Sequence, residues 1–472
     1  MIRKALMLTA ALGLAACSAT PLPTLPPGDV PATFDQSGPS NAPIWPAGDW
    51  WQGYGDPQLT GLIEKAQAGN LDIAQAEARL HQADARARQA GAALLPTVGL
   101  NGNINSLYGQ SNGATARETD YSLGLGASYE LDFWGKNRAL ADSAQASRTA
   151  SAADRATVAL TVTGSVANTY FQLLSLRERI AVAEANLKSS QSILNVVQRR
   201  VSAGYSAAAD LLQQRANMAA QQAVLPALRQ QELETRDALA ILLGRPPEGF
   251  SVTGLNLDGI TAPAVAPGIP SALLSRRPDV ASAEANLVAA HANLTAARTA
   301  FLPSVTLNAS AGLQYPALAA AIDTLPGLGF GAAAGASLLQ AIFDNGRNAA
   351  ISDEAKAHEE ELLAAYRAAA MNAFADVENT MGALDHLAAQ ESALREQVTQ
   401  AEKVLSAARR KYEGGYSDFL TVTDAERSLY TARDQLSDIR RARLAASVAL
   451  FKALGGGFSV PGPTRETANS PQ

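Results

Sequence analysis

Hydrophobic positions along this chain follow two different periods. From about 137 to 203 and from about 347 to 413 they recur every third or fourth residue, in segments rich in Ala, Leu, Glu, Gln and Arg, all good helix formers. Leu173, Ile180, Leu187, Leu194 and Val201 fall every seven residues, with Leu176, Ala183, Ser190 and Val197 three positions later. That spacing is a coiled-coil seam. Moving on by 211 residues gives Leu384, Glu391, Val398, Leu405 and Tyr412, then Leu387, Leu394, Ala401 and Ala408, the same seam with one charged lapse at Glu391. No proline interrupts the chain between Pro96 and Pro226 or between Pro326 and Pro461. Each run of ~66 residues predicts a helix of ~100 Å, against an average globular helix of ~11–12 residues.

Four shorter stretches switch to period two. Val98, Leu100 and Ile104 alternate with Thr97, Gly99, Asn101, Asn103 and Asn105. Tyr121, Leu123, Leu125, Ala127, Tyr129 and Leu131 alternate with small or polar residues, as do Val305, Leu307, Ala309, Ala311 and Leu313. A fourth, weaker stretch lies in 329–343. Runs of ~10 residues, apolar on one face and small or polar on the other, suit strands of a membrane β-barrel. Four strands cannot close a barrel, and lipid excludes open edges, so several copies of the chain must share one.

The two periods occur twice in the same order. "ALLPTVGLN" (93–101) returns as "AFLPSVTLN" (300–308), "AGYS" (203–206) as "GGYS" (414–417), and "LLG" ending at Gly244 as "ALG" ending at Gly455. The chain therefore divides into repeat 1 over 48–248 (hairpin ~97–133, long helix ~137–203, return helix ~206–243), a linker over 249–270, and repeat 2 over 271–457. Repeat 2 holds strands at ~304–313 and ~329–343, a long helix at ~347–413 and a return helix at ~417–455. Residues 458–472 read as a flexible tail.

Ahead of the repeats, "MIRKALMLTAALGLAAC" places Arg3 and Lys4 before a short, mostly apolar run that ends at Cys17, the one cysteine of the chain. Residues 1–16 read as a secretory signal, and "LAAC" resembles the bacterial lipoprotein box, which implies lipidation of Cys17. The proline-rich residues 17–47 read as an extended linker. No other segment approaches the ~20 apolar residues of a spanning helix. A formal charge of −6 weighs against a nucleic-acid partner.

The turns at the far ends of the long helices are "SAGYSAAADLL" (202–212) and "EGGYSDFLTVTD" (413–424). Gly204 and Gly415 suit the left-handed position that ends a helix, with Tyr205 and Tyr416 beside them. Ser206 and Ser417 are expected as N-caps of the returning helices. Asp210 and Asp418 either complement the helix macrodipole or, with Asp424, belong to an acidic constriction. Trp134, Lys136 and Arg347, in "DFWGK" and "FDNGR" at the strand ends, are expected as membrane-interface anchors. No catalytic or metal motif emerges: the four histidines are scattered, and "HEEE" (358–361) lacks a second histidine four residues on. "GFGAAAG" (329–335) has neither the spacing nor the βαβ setting of a dinucleotide loop. No cofactor is expected.

Six stretches carry a resemblance to a known family: "DWWQGYGDPQLTGLIEKAQAGNLDIAQAEARL" (49–80), "YELDFWGKNR" (129–138), "LLSRRPDVASAEANLVAAHANLTAARTAFLPSVTL" (273–307), "QAIFDNGRN" (340–348), "GGYSDFLTVTDAERSLYTARDQL" (414–436) and "ALGGGF" (453–458). Together the chain resembles the TolC-like outer membrane efflux factors of the lipoprotein (NodT or OprM-like) branch. The resemblance implies a mainly α fold with a small membrane β part. Long duplicated coiled-coil helices would form a periplasmic α-barrel, and two hairpins per protomer would contribute to a trimeric twelve-stranded outer membrane barrel. It further implies a passive exit duct for drugs or other small molecules, docked to a periplasmic adaptor and an inner membrane pump of the resistance-nodulation-division type. Closure would lie at the two turns, where Asp210, Ser417, Asp418 and Asp424 are the candidate gate residues. A type I protein secretion channel and a structural outer membrane tether are the alternatives.

Overall fold

A computed structural model describes residues 21–35, 44–111, 114–265, 268–316 and 329–459. The signal segment, Cys17 and tail residues 460–472 lie outside the described residues. Two short helices, α1 (Pro57–Gly69) and α2 (Leu71–Ala92), lead to strands β1 (Thr97–Ser111) and β2 (Ala114–Leu131). The 67-residue α3 (Lys136–Ser202) and 35-residue α4 (Ala208–Leu242) follow. Then come α5 (Pro270–Leu274), α6 (Pro278–Thr299), β3 (Ser304–Pro316), β4 (Gly329–Leu339), α7 (Arg347–Glu413) and α8 (Phe419–Ala453). The duplication is exact at the helix ends: α2 and α6 both have 22 residues, α3 and α7 both 67, α4 and α8 both 35. The fourth strand stops at Leu339, short of the expected 343.

The chain forms two compact units. One, made of the described residues within 21–29, 82–150 and 283–367, carries the four-stranded sheet and the helix segments that lead into and out of it. Within it Arg148 pairs with Asp84, and His291 Nδ1 lies 2.5 Å from Glu359 Oε1.

The other unit, made of the described residues within 30–81, 151–282 and 368–459, holds the main core. Trp50 stacks on Phe451 at 4.8 Å, and Tyr54, fully buried, shares a 2.5 Å hydrogen bond with Ser447. Burial pushes the Tyr54 phenol well above its usual range. The predicted seam is in place: Leu173, Leu176, Ala183, Ser190, Leu194 and Val197 are buried, as are Leu394, Leu405, Ala408 and Tyr412. The charged lapse at Glu391 is buried too. Its carboxylate accepts from Arg395 at 2.5 Å and Arg443 at 2.9 Å. Burial alone would raise this carboxyl, but the two guanidiniums hold it below the usual carboxylate range.

Each repeat is closed on itself at equivalent points. The Asn70 amide donates to the Leu242 carbonyl at 2.8 Å, and Arg277, at the equivalent position, reaches the Ala453 carbonyl. Gly244 and Gly455 follow α4 and α8 with φ of 68° and 85°. A Cβ at Gly244 would meet the Gly69 carbonyl, and one at Gly455 the Arg276 carbonyl.

Part of the proline-rich linker departs from expectation, because its few apolar side chains find partners. Phe34 is buried, the Asp35 amide donates to Glu378 at 2.5 Å, and the Arg276 guanidinium lies 4.5 Å from the Trp45 ring centre. In the sheet-bearing unit, Asp29 accepts from Arg367 Nε at 2.7 Å.

These contacts separate two glycines of like backbone. Gly204→Ala, with open space around it, costs about 1–2 kcal/mol for the left-handed conformation alone. Gly455→Ala adds a collision with backbone, so its thermal unfolding by far-ultraviolet circular dichroism falls further; equal shifts would contradict this packing.

Candidate functional site

The sheet runs β1-β2-β3-β4, every neighbour antiparallel. Its register sorts the two faces. Leu100 lies opposite Leu125, Leu125 opposite Ala311 and Ala311 opposite Ala332; Leu123 lies opposite Leu313 and Leu313 opposite Phe330. On the other face Asn103 meets Ser122, and Ser128 lies between Thr97 and Asn308. Ser128 Oγ donates to Asn308 at 3.0 Å.

The apolar face is bare. Val98, Leu100, Ile104, Tyr108, Leu123, Leu125, Leu307, Leu313, Phe330 and Leu338 are between 39% and 75% exposed. Covering each fully is worth about 1.5–3 kcal/mol, so leaving all ten in water would cost as much as a typical domain's net stability. Among the described residues no helix is long and apolar enough to cross a membrane, whereas the 11 residues of β4 meet the ~9–11 a tilted membrane strand needs. Among the described residues β1 and β4 are both edges, each with no strand paired along its outer side.

At one end of the sheet all four strands meet helical segments. There the Trp134 indole donates to the Pro303 carbonyl at 2.7 Å and Lys136 pairs with Glu130 at 2.6 Å. Arg347, at the position equivalent to Lys136, is exposed. Asp132 and Asp344, not singled out by the sequence, carry the turns. Asp132 accepts from the amides of Asn137 and Arg138 at 3.0 and 2.8 Å, and Asp344 from those of Gly346 and Asn348 at 3.0 and 2.9 Å.

In the other unit the two helical turns share one construction. Gly204 and Gly415 adopt φ of 77° and 81°. The Tyr205 amide reaches back to the Arg200 carbonyl and the Tyr416 amide to that of Lys411, both at 2.8 Å, the Schellman closure of a helix end. Tyr205 and Tyr416 themselves project, 77% and 87% exposed.

The caps correct the sequence reading. Neither Ser206 nor Ser417 is an N-cap: the N-cap of α4 is Ala207, which gives no side-chain cap, and α8 is capped by Asp418. A carboxylate offers stronger acceptors than a hydroxyl, and Asp418 sits one residue nearer the helix. Its Oδ1 accepts from the Thr421 hydroxyl at 2.5 Å and amide at 3.0 Å, which hold the carboxyl below the usual carboxylate range. Asp210 lies in the first turn of α4, and Asp424 pairs with Arg427 at 3.0 Å.

The structure joins the turns through a side chain that sequence gave no reason to choose. Arg200 donates to the Tyr412 carbonyl at 2.7 Å, stacks over the Tyr412 ring at 4.7 Å and approaches Ser206 Oγ at 3.4 Å. Nearby, buried Glu426 accepts from Ser189 at 2.5 Å and from Arg409 at 2.9 Å.

A family model described as "Outer membrane efflux protein" matches residues 62–245 and 269–456. The chain is 41% identical to the pyoverdine export outer membrane protein OpmQ of Pseudomonas putida, over 97% of this chain and 98% of that one. It is 31% identical to the cation efflux system protein CusC of Escherichia coli K12, over 96% and 99%. Among solved structures, the outer-membrane channel OprN superposes with a TM-score of 0.85 at 27% identity, over 93% of this chain and 98% of that one. The open state of the Neisseria gonorrhoeae MtrE outer membrane channel does so with a TM-score of 0.83 at 30% identity, over 93% and 98%.

Asp418→Ala removes the cap of α8, so the Thr421 amide should exchange its hydrogen several-fold faster at pH 7 than in the unsubstituted protein. Because the folded carboxyl titrates low, the protection is present above an unfolded aspartate pKa of about 3.9 and is lost as pH falls through the folded value. Hydrogen-exchange mass spectrometry of residues 419–424 checks this; equal exchange at pH 7 would refute the cap.

Proposed function

The chain belongs to the outer membrane efflux protein family and is an outer membrane efflux channel, and on that premise we propose how it works. Three copies pool their hairpins into one twelve-stranded barrel, each β4 pairing with the β1 of the next copy. The bare apolar face of a sheet with two open edges is the observation that carries this reading. Lipid covers the face, and only another chain satisfies the edges. The Asn-, Ser- and Gly-rich face then lines water.

The helical turns form the gate at the periplasmic end. Arg200 holds the two turns of one chain together, and Asp210 and Asp424, tripled by symmetry, set a negative constriction that favours cations. Asp418 serves mainly as a cap, with Ser417 beside it. A periplasmic adaptor engages the projecting Tyr205 and Tyr416 and releases the turns, and an inner membrane pump of the resistance-nodulation-division type supplies cargo. Greater likeness to pyoverdine export proteins, 41% and 38% identical, than to cation or toluene efflux proteins at 31% supports pyoverdine-type cargo.

Cys17 carries the lipid anchor. The twelve steps from Cys17 to Asp29 reach at most about 43 Å. The partner of Asp29, Arg367, lies twenty residues along α7 from the sheet end, about 30 Å at 1.5 Å per residue. An acyl chain in the same membrane as the sheet is therefore within reach.

Planar-bilayer recording tests the duct. The unsubstituted protein should give small, cation-preferring channels. Arg200→Ala should raise conductance several-fold, and Asp210→Asn with Asp424→Asn should reduce the cation preference. A protein that inserts but never conducts would be a tether, not a duct.

A further inference from the structure

The helix-side end of the sheet carries more than anchors. Phe133, Ile342 and Phe343 are 66%, 97% and 84% exposed there, and Leu95 and Phe301 are also exposed. This belt follows directly on the strand ends at Thr97, Leu131, Ser304 and Leu339, so it borders the lipid that covers the apolar face. Its charges are sorted in an uneven way. The three carboxylates are all occupied within the chain: Glu130 by Lys136, and Asp132 and Asp344 by backbone amides. Arg138 and Arg347 are exposed and pair with no carboxylate among the described residues. Each protomer thus presents two exposed guanidiniums in the same short strand-to-helix segments as the bare aromatic and aliphatic side chains, and a guanidinium binds phosphate oxygens in a forked geometry.

From this continuity and this charge pattern we propose that the belt is a binding surface for anionic glycerophospholipids in the membrane leaflet nearest the helices. Arg138 and Arg347 take the phosphates, while Phe133, Ile342 and Phe343 lie along the first methylenes of the acyl chains. The inference rests on the membrane reading of the sheet. It adds a preference of the order of tenfold for a lipid of net negative charge over a zwitterionic one, as expected for two basic residues near a membrane surface.

The full-length protein in bilayers of brominated phosphatidylglycerol mixed with phosphatidylcholine provides the test, because bromine quenches tryptophan only at lipid contact and Trp134 sits in the belt. Quenching should show phosphatidylglycerol enriched several-fold around the unsubstituted protein. The preference should shrink at 0.5 M salt, where the screening length falls to a few ångströms. It should vanish in Arg138→Gln with Arg347→Gln, while channel conductance stays unchanged. Equal quenching by brominated phosphatidylcholine, or a preference that survives the double substitution, overturns the proposal. So does dissociation of the double variant's oligomer, which would mean that the arginines face a neighbouring protomer. Should the double variant not fold, with no helical or β signal in circular dichroism, the salt series on the unsubstituted protein decides alone. Absence of quenching by either lipid would instead sink the membrane reading, and this proposal with it.

Discussion

An unpaired backbone amide or carbonyl has no partner in hydrocarbon, and leaving it bare costs several kcal/mol. The rest of this molecule follows from that constraint. One face of the sheet belongs in lipid, yet β1 and β4 end it with open hydrogen-bonding rows. Among the described residues the chain has no further strand with which to close them. Duplication brings two hairpins to one sheet, and β2 and β3 join the repeats through a register running from Asp120–Pro316 to Leu131–Val305. The remaining edges can be met only by copies of the same edges.

The helices answer a different demand, to hold together over their whole length. Small seam residues such as Ala183, Ser190 and Ala408 let them pack closely, and polar links replace bulk where the seam lapses. Glu391 is such a link, a buried carboxylate kept ionised by two arginines. The copies keep Gly, Tyr and Ser at the turns but differ just before them. Arg200 and Val201 of one repeat correspond to Lys411 and Tyr412 of the other, and this divergence lets Arg200 stack on Tyr412. Two identical turns could not make that contact.

Most of the architecture was legible because it is periodic. Heptads gave the seam, alternation gave the sheet faces, and the constant offset gave equivalent helix ends. Local competition was not legible. Ser206 and Ser417 look like caps by residue type, but the helix begins one residue later, and at 418 a carboxylate takes the amide instead. The proline-rich linker gave no hint that Phe34 is buried or that Asp35 and Trp45 find partners hundreds of residues away. Arg200 resembles any solvated arginine on a seam, and only the fold brings Tyr412 beneath it. At the fourth strand, Leu339 continued into "QAIF" by apolar character alone, whereas pairing with β3 stops where β3 begins at Ser304.

Mass decides the central claim most directly. The mature protein, extracted in mild detergent and weighed by native mass spectrometry, should appear as three chains that persist after the detergent is stripped in the gas phase. A stable single chain that still shows the β signal in circular dichroism would mean that the sheet edges are satisfied without partners, and the account of a shared barrel would be wrong.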